Sequence, residues 1–412
     1  MLFHILFGTR PEIIKLAPLI KTLPQIAEVR SLATGQHSEL IKPVLQLFDI
    51  SVDYQLACAD PDLLNNFFSI SKALKQIWQQ NRPNLIIVQG DTLTTFAGAF
   101  TAFMCKIPVI HLEAGLRSGN KFAPYPEEAY RIMVDKLADI FLAPTISAYK
   151  KLLAEGEKED RIFLVGNTVV DALEMAMENI NPTQQWLYLS ETLKTEISIL
   201  QQASKVLITA HRRENIGEPL ADICKAILHL THLYPEVLFI WALHKNPAVR
   251  KIIFSQINTP PPNLFLVEAL PYATTLFLMQ QVDIILTDSG GIQEEAPTFK
   301  KPILILREVT ERNETVEYGF GFLVGTHTET IIRRFQQIWG NKSIYQKLEL
   351  LPNPYGDGKT TQRIMQLLAC PSFEKFIKNY TQEPNMNLQS CKKAVECFAP
   401  QLIPYCGVEQ TI

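Results

Sequence analysis

284-IILTDSGGIQEEAPTFKKPIL-304 runs a short apolar strand, Ile284–Leu286 into Thr287, directly into Asp288-Ser289-Gly290-Gly291. A helix carrying the adjacent Glu294 and Glu295 follows, and then a second apolar run. This strand–turn–helix–strand order raises a question, because the turn exposes backbone, a hydroxyl and two carboxylates together. One explanation is packing, since glycine lets a helix lie close to a sheet. The other is a ligand, with an anion at the helix N-terminus and hydroxyl groups for a glutamate to hold.

Outward from this unit the same alternation covers most of the chain. Candidate strands are 2-LFHILF-7, 85-LIIV-88, 108-PVIHLE-113, 140-IFLA-143 and 162-IFLV-165, then 206-VLIT-209, 237-VLFIWAL-243, 264-LFLV-267 and 303-ILIL-306. Their hydrophobicity is nearly unbroken, as expected of parallel strands covered on both faces. Amphipathic stretches such as 65-NNFFSISKALKQIWQQ-80 and 219-PLADICKAILHLTHLY-234 separate them. The expected fold is therefore α/β and doubly wound. At 412 residues the chain is too long for one ordinary core, so two domains with a cleft between them are expected. The stretch 179-NINPTQQW-186 reads as the linker.

Composition narrows the function classes. A hydrophobic fraction of 47% with 20% charged residues is that of a soluble globular protein. A net charge of −3 gives no reason to expect nucleic acid as partner. The N-terminus, MLFHILFGTRPEIIKLAPLI, is interrupted by Arg10, Glu12 and Lys15 and lacks the order of a secretory signal. No uncharged run reaches the roughly 18–20 residues of a membrane span, so a cytoplasmic protein without membrane contact is expected. Seven cysteines without CxxC spacing, four of them at 370, 391, 397 and 406, read as free thiols. Neither HExxH nor a Walker pattern occurs, nor GxGxxG after the first strand. No metal and no cofactor are expected.

Open α/β sheets bind ligands beyond the carboxyl ends of their strands, and nearly every predicted strand end here is polar. Arg10 and Lys15 follow the first strand in 8-GTRPE-12, and 89-QGDTLTT-95 places Asp91 at another strand end with Thr92 as a cap. Glu113 and Arg117 lie in 112-LEAGLRSG-119, and 126-PEEAYR-131 offers Glu127, Glu128 and Arg131 at a helix start. In the second half, 206-VLITAHRREN-215 ends with His211, Arg212 and Arg213, 237-VLFIWALHKNP-247 with His244, and Arg312 follows in 310-TER-312. Each has a plainer reading: glutamates at a helix start serve the dipole or a capping box, and a strand-end aspartate caps the next helix. His4 and His111, within apolar strands, read as satisfied core histidines.

Taken together, FGTRPEIIKLAPLI, TGQHSEL, QGDTLTT, HLEAGLRSG, YPEEAYR, VGNTVVDAL, TAHRREN, LTDSGGIQEEAP, VTER and NPYGDG resemble, in order and spacing, the non-hydrolysing UDP-N-acetylglucosamine 2-epimerases over about residues 1–370. The resemblance implies two Rossmann-like domains facing a cleft (the GT-B arrangement). The first would span 1–170 with a return segment at about 355–372, the second 171–354, and 373–412 would be an appended tail. It also implies a homodimer and the interconversion of UDP-N-acetylglucosamine and UDP-N-acetylmannosamine, supplying N-acetylmannosamine for cell-surface polysaccharide. The route is anti elimination of UDP to a 2-acetamidoglucal, then readdition.

By the same resemblance Asp91, Glu113 and Glu127 form the acid/base set, Lys15 positions them or the sugar, and His211 and Arg10 sit at the diphosphate. Ser289, Gly290 and Gly291 meet phosphate, Glu295 the ribose, and Arg312, His244 and Arg131 the rest of the substrate. Gln36 and His37 match residues that hold a second, activating sugar nucleotide in some members. Departures from the family pattern are Glu39 and Ser69, which imply altered activation, Tyr130, Ala242 and Asn313, and Thr275 with Phe277 where an aromatic stacks on uracil. Three rivals remain: an epimerase of a modified UDP-sugar, a glycosyltransferase releasing UDP only with an acceptor, and a non-catalytic UDP-sugar sensor.

Overall fold

The protein is described here by a computed structural model, which covers residues 1–36 and 38–396. The chain divides into two compact units, Met1–Met175 with the described residues from Tyr355 on, and Ala176–Pro354. Both are Rossmann-like and doubly wound, the fold class read from the sequence.

Among its described residues the first unit holds seven strands: β1 (Leu2–Phe7), β2 (Glu28–Ala33), β3 (Tyr54–Gln55), β4 (Leu85–Gln89), β5 (Val109–Leu112), β6 (Ile140–Ala143) and β7 (Ile162–Leu164). Their order is β3-β2-β1-β4-β5-β6-β7, and every pairing is parallel. The second unit orders β8 (Lys205–Thr209), β9 (Leu238–Leu243), β10 (Leu264–Glu268), β11 (Ile284–Thr287), β12 (Ile303–Ile305) and β13 (Gly321–Leu323) as β10-β9-β8-β11-β12-β13, again all parallel. Central strands are buried on both faces, β4 and β8 along their whole length. This is why their sequences are unbroken apolar runs. The strands without an apolar signature, β2, β3 and β13, lie at or next to a sheet edge and are only partly buried.

Two local expectations are corrected. The stretch read as a linker is helical on both sides of residues 180–181. One helix runs Thr168–Asn179, and the next opens at Pro182 with Asn181 accepting from the Gln184 amide at 3.2 Å. An Asn-Pro pair is a helix start as readily as a loop. Likewise Cys370 and Cys391, read as free thiols, form a disulfide with Cα atoms 5.7 Å apart. The helices Pro371–Lys378 and Gln389–Glu396 bury Phe373, Phe376 and Val395, with Leu388 buried just before the second, and that packing brings the sulfurs together. Arg161 fastens the same segment, donating to the carbonyls of Pro384 and Met386 at 2.8 and 2.7 Å beneath the Phe376 ring. Cys397 and Cys406 lie outside the described residues. Among the described residues no helix is long and apolar enough to cross a membrane.

Candidate active site

In each sheet the strand order reverses once, between β1 and β4 in the first unit and between β8 and β11 in the second. Such switch points are where open α/β sheets hold ligands.

In the first unit Gly8 closes β1 where no side chain fits. A Cβ there would lie 2.1 Å from Thr94 Oγ1 and 2.4 Å from Thr34 Oγ1. The helix Arg10–Thr22 then opens with Arg10 exposed and Pro11 in its first turn. Glu12 is buried and accepts from the Gly8 and Thr9 amides at 2.9 and 2.7 Å. It also accepts from the hydroxyls of Thr92 and Thr95 at 2.6 and 3.1 Å, so it ties the β1 turn to the β4 turn. Burial pushes its carboxyl above the ordinary range despite these bonds.

Further along the helix, Lys15 donates to both carboxylate oxygens of Glu113 at 2.8 and 2.7 Å. Gln89, the last residue of β4, donates to the same carboxylate. Glu113 follows β5 in the left-handed region, at φ +70°. A non-glycine residue is uncommon there, and such conformations cluster at functional sites. Its amide donates to the Leu142 carbonyl at 3.0 Å, which holds the turn.

Asp91 does not cap the next helix. Thr92 does, accepting from the Thr95 amide at 3.2 Å. The Asp91 carboxylate pairs instead with Arg131. Arg131 also lies 3.2 Å from Glu128, whose other oxygen receives the Ser118 and Gly119 amides at 2.9 and 3.0 Å. Glu128 thus fastens the loop, and Glu127 opens the helix Glu127–Leu137 half-buried. His4 and His111 are core residues, and both His111 nitrogens are bonded as read, whereas the His4 Nε2 has no hydrogen-bond partner among the described residues. Trp78 donates to His4 at 3.1 Å, and burial brings the His4 imidazole down to about 4. Gln36 accepts from Thr94 at 3.3 Å; His37 lies outside the described residues. Glu39 pairs with Lys42 and Ser69 is exposed.

In the second unit the Thr209 and Thr287 hydroxyls meet at 2.6 Å across β8 and β11. Asp288, wholly buried, closes the loop after β8 onto β11: one carboxylate oxygen accepts from the His211 and Arg212 amides, both at 2.8 Å, and from Asn215 at 3.0 Å. The His211 ring lies 3.5 Å from Asp288 and stacks on His244, centroids 5.0 Å apart. A Cβ on Gly290 would meet the guanidiniums of Arg212 and Arg312 at 3.2 Å. Arg212 is held below the ordinary guanidinium range by burial first and by Arg307 next. Glu311 is brought down to about 2: burial opposes this, but the Arg307 bond and the Arg312 charge prevail.

Ser289 stands at the N-cap of Gly290–Glu295 without a side-chain capping bond, and Gly291 is exposed. Glu295 accepts from the Tyr272 hydroxyl at 3.1 Å, and Arg312 donates to Glu294 at 2.9 Å. Phe277 is buried edge-on against Trp186, centroids 5.0 Å apart, while the Thr275 hydroxyl bonds the Pro271 carbonyl at 3.0 Å.

Sequence reasoning singled out neither Gln89, Asp135, Asp288 nor Tyr272 as site residues, and gave Arg212 no role beyond its place at a strand end. For Gln89 the available signal was a polar residue ending an apolar strand; for Arg212, its place beside His211. The second unit therefore gathers cations and backbone donors suited to an anion. The first gathers carboxylates, one of them held by a lysine, suited to proton transfer.

A family model described as UDP-N-acetylglucosamine 2-epimerase matches residues 22–369. The chain is similar to the UDP-N-acetylglucosamine 2-epimerase of Neisseria meningitidis serogroup A, with 41% identity over 88% of this chain and 97% of the relative. It is also similar to that of Campylobacter jejuni, with 38% identity over 88% and 96%. The crystal structure of the Neisseria meningitidis enzyme bound to UDP-GlcNAc superposes with a TM-score of 0.81 at 39% identity, covering 89% of this chain and 99% of that one. The chain belongs to the UDP-N-acetylglucosamine 2-epimerase family, a family of isomerases.

Proposed function

We propose that this protein interconverts UDP-N-acetylglucosamine and UDP-N-acetylmannosamine by inversion at C2. No carbonyl flanks C2, so its proton is poorly acidic until the C1–O bond begins to break. As UDP departs, oxocarbenium character at C1 makes the C2 proton removable by a carboxylate. The electron pair of the C2–H bond then becomes the C1–C2 double bond of a 2-acetamidoglucal. Proton delivery to the opposite face of C2, with return of the UDP oxygen to C1, completes the inversion. The product would supply N-acetylmannosamine for cell-surface polysaccharide.

In this reading Asp91, Glu113 and Glu127 move the protons and stabilise the cation. Lys15 aims Glu113, and Arg131 does so for Asp91. Arg10, His211, Arg212 and Arg312 take the charge of the leaving diphosphate, Ser289, Gly290 and Gly291 donate to its oxygens, and Glu295 accepts from the ribose. His244 supports the His211 ring. The observation that carries the reading is Glu113, a carboxylate at positive φ after β5, held by Lys15 from the helix that follows β1.

The test is proton NMR with UDP-N-acetylglucosamine in D₂O. A new UDP-N-acetylmannosamine anomeric signal with deuterium at C2 is expected. An unchanged spectrum with UDP still bound would move the reading to a modified sugar or a non-catalytic sensor.

The same proposal includes a homodimer. Leu64, Phe68, Phe103 and Met104 are each more than half exposed on the helices Leu63–Gln80 and Leu93–Met104. The second of these helices carries no charge at all. Beneath them Phe67, Phe96 and Tyr130 stack face to face. An exposed apolar patch of this kind suits contact with a second copy.

A further inference from the structure

His111 and Asp135 are wholly buried, and neither is used in the chemistry above. Nδ1 of His111 lies 2.5 Å from Asp135 Oδ1, and Nε2 lies 2.8 Å from the Gly90 carbonyl. The second oxygen of Asp135 accepts from the Gly115 amide at 3.2 Å and from Arg117 at 2.7 Å. Arg117 is itself anchored by Glu155 at 2.7 Å and by the Leu116 carbonyl at 2.7 Å. Burial would raise the Asp135 carboxyl, but His111 and Arg117 hold it below the ordinary range.

Each partner belongs to a segment that carries a proposed acid/base residue. Gly90 stands between Gln89, which bonds Glu113, and Asp91. Gly115 lies two residues beyond Glu113. On the helix, Glu127, Arg131 and Asp135 recur at i, i+4 and i+8, so one face presents all three. A buried polar network is rarely the most stabilising filling for a core, since apolar residues of similar volume do as well or better. Its advantage is geometric.

We propose that the His111–Asp135 pair is the positioning device that sets the spacing of Asp91, Glu113 and Glu127. It locks the β4 turn, the β5 turn and the helix Glu127–Leu137 to one another. This inference rests on the epimerase reading. Displacing a reacting group by about 1 Å costs on the order of 100-fold in rate. His111→Leu, which removes both bonds at similar volume, is accordingly expected to lower kcat for C2 deuterium exchange about 100-fold. KM and the Kd for UDP should stay within about threefold of wild type, since uniform binding is untouched.

His111→Gln, whose amide reaches the Nε2 position and still donates to Gly90, should recover part of that loss. Asp135→Asn, an isosteric change that keeps the test open should the leucine variant fail to fold, should show the same split between kcat and KM. Wild-type kcat in His111→Leu or in Asp135→Asn would overturn the inference, as would equal losses of kcat and UDP affinity. A wild-type enzyme that binds UDP but exchanges no deuterium would instead overturn the reading beneath it, and the inference would fall with it.

Discussion

Glu113 concentrates the argument at the scale of single residues. Its backbone sits where a side chain is disfavoured, and its carboxylate is fixed by Lys15 and Gln89 from two other elements. Glu113→Gln keeps the shape and removes the carboxylate. It is expected to lower kcat for C2 exchange by about 10²–10⁴-fold, the usual share of general acid–base catalysis, while UDP titrates as in wild type by calorimetry. Gly290 offers a test in the other unit. Gly290→Ala pushes a methyl against Arg212 and Arg312, and losing one charge-assisted hydrogen bond to the diphosphate costs about 1.5–3 kcal/mol. A weaker Kd for UDP is expected, with the melting temperature little changed. At this scale residue types were legible but partners were not. Asp288 and Ser289 are neighbours in one motif, yet Asp288 faces inward to tie two loops while Ser289 caps a helix without spending its hydroxyl on the cap.

Among the elements, the segment after residue 370 departs most from its sequence reading. The disulfide ties its two helices to each other, while Arg161 under Phe376 and the Tyr380 hydroxyl, which donates to Asp139 at 3.1 Å, fasten them to the strand-bearing part of the first unit. Burial lifts the Asp139 carboxyl from its ordinary value near 3.8 to about 6, against the Val109 amide and the Tyr380 bond. With the folded value above the unfolded one, stability is greatest below pH 4 for this group and is lost as pH rises through 6. The difference corresponds to at most about 3 kcal/mol. Asp139→Asn keeps an acceptor for both donors and carries no charge. Its melting temperature should exceed that of wild type at pH 7.5, and the gap should close between pH 6 and pH 4. The disulfide closes a loop with a sequence separation of 21, which constrains the unfolded chain by about 3 kcal/mol. Dithiothreitol is expected to lower the wild-type melting temperature and to leave a Cys370→Ser, Cys391→Ser variant unmoved. Cysteine spacing alone carried no sign of this bridge, because pairing depends on which helices pack together.

For the whole molecule, the exposed apolar patch on Leu63–Gln80 and Leu93–Met104 predicts self-association. Phe68→Glu with Phe103→Glu should convert a dimer to a monomer in light scattering, because an isologous contact places each added charge in the interface twice. Ten of the thirteen strands among the described residues could be read directly from their apolar runs, since a strand covered on both faces has to be apolar throughout. The three that could not, β2, β3 and β13, are short or half-exposed strands near sheet edges. The sequence by itself determined the α/β class, the repeated polar strand ends and the family, because periodicity and motif spacing are properties of the chain. Only the tertiary structure decided that Lys15 holds Glu113, that Arg131 turns to Asp91, and that a buried histidine joins the turns bearing two of the carboxylates. These residues lie between 40 and 98 positions apart or on different strands, and strand order, which no local pattern encodes, is what brings them together.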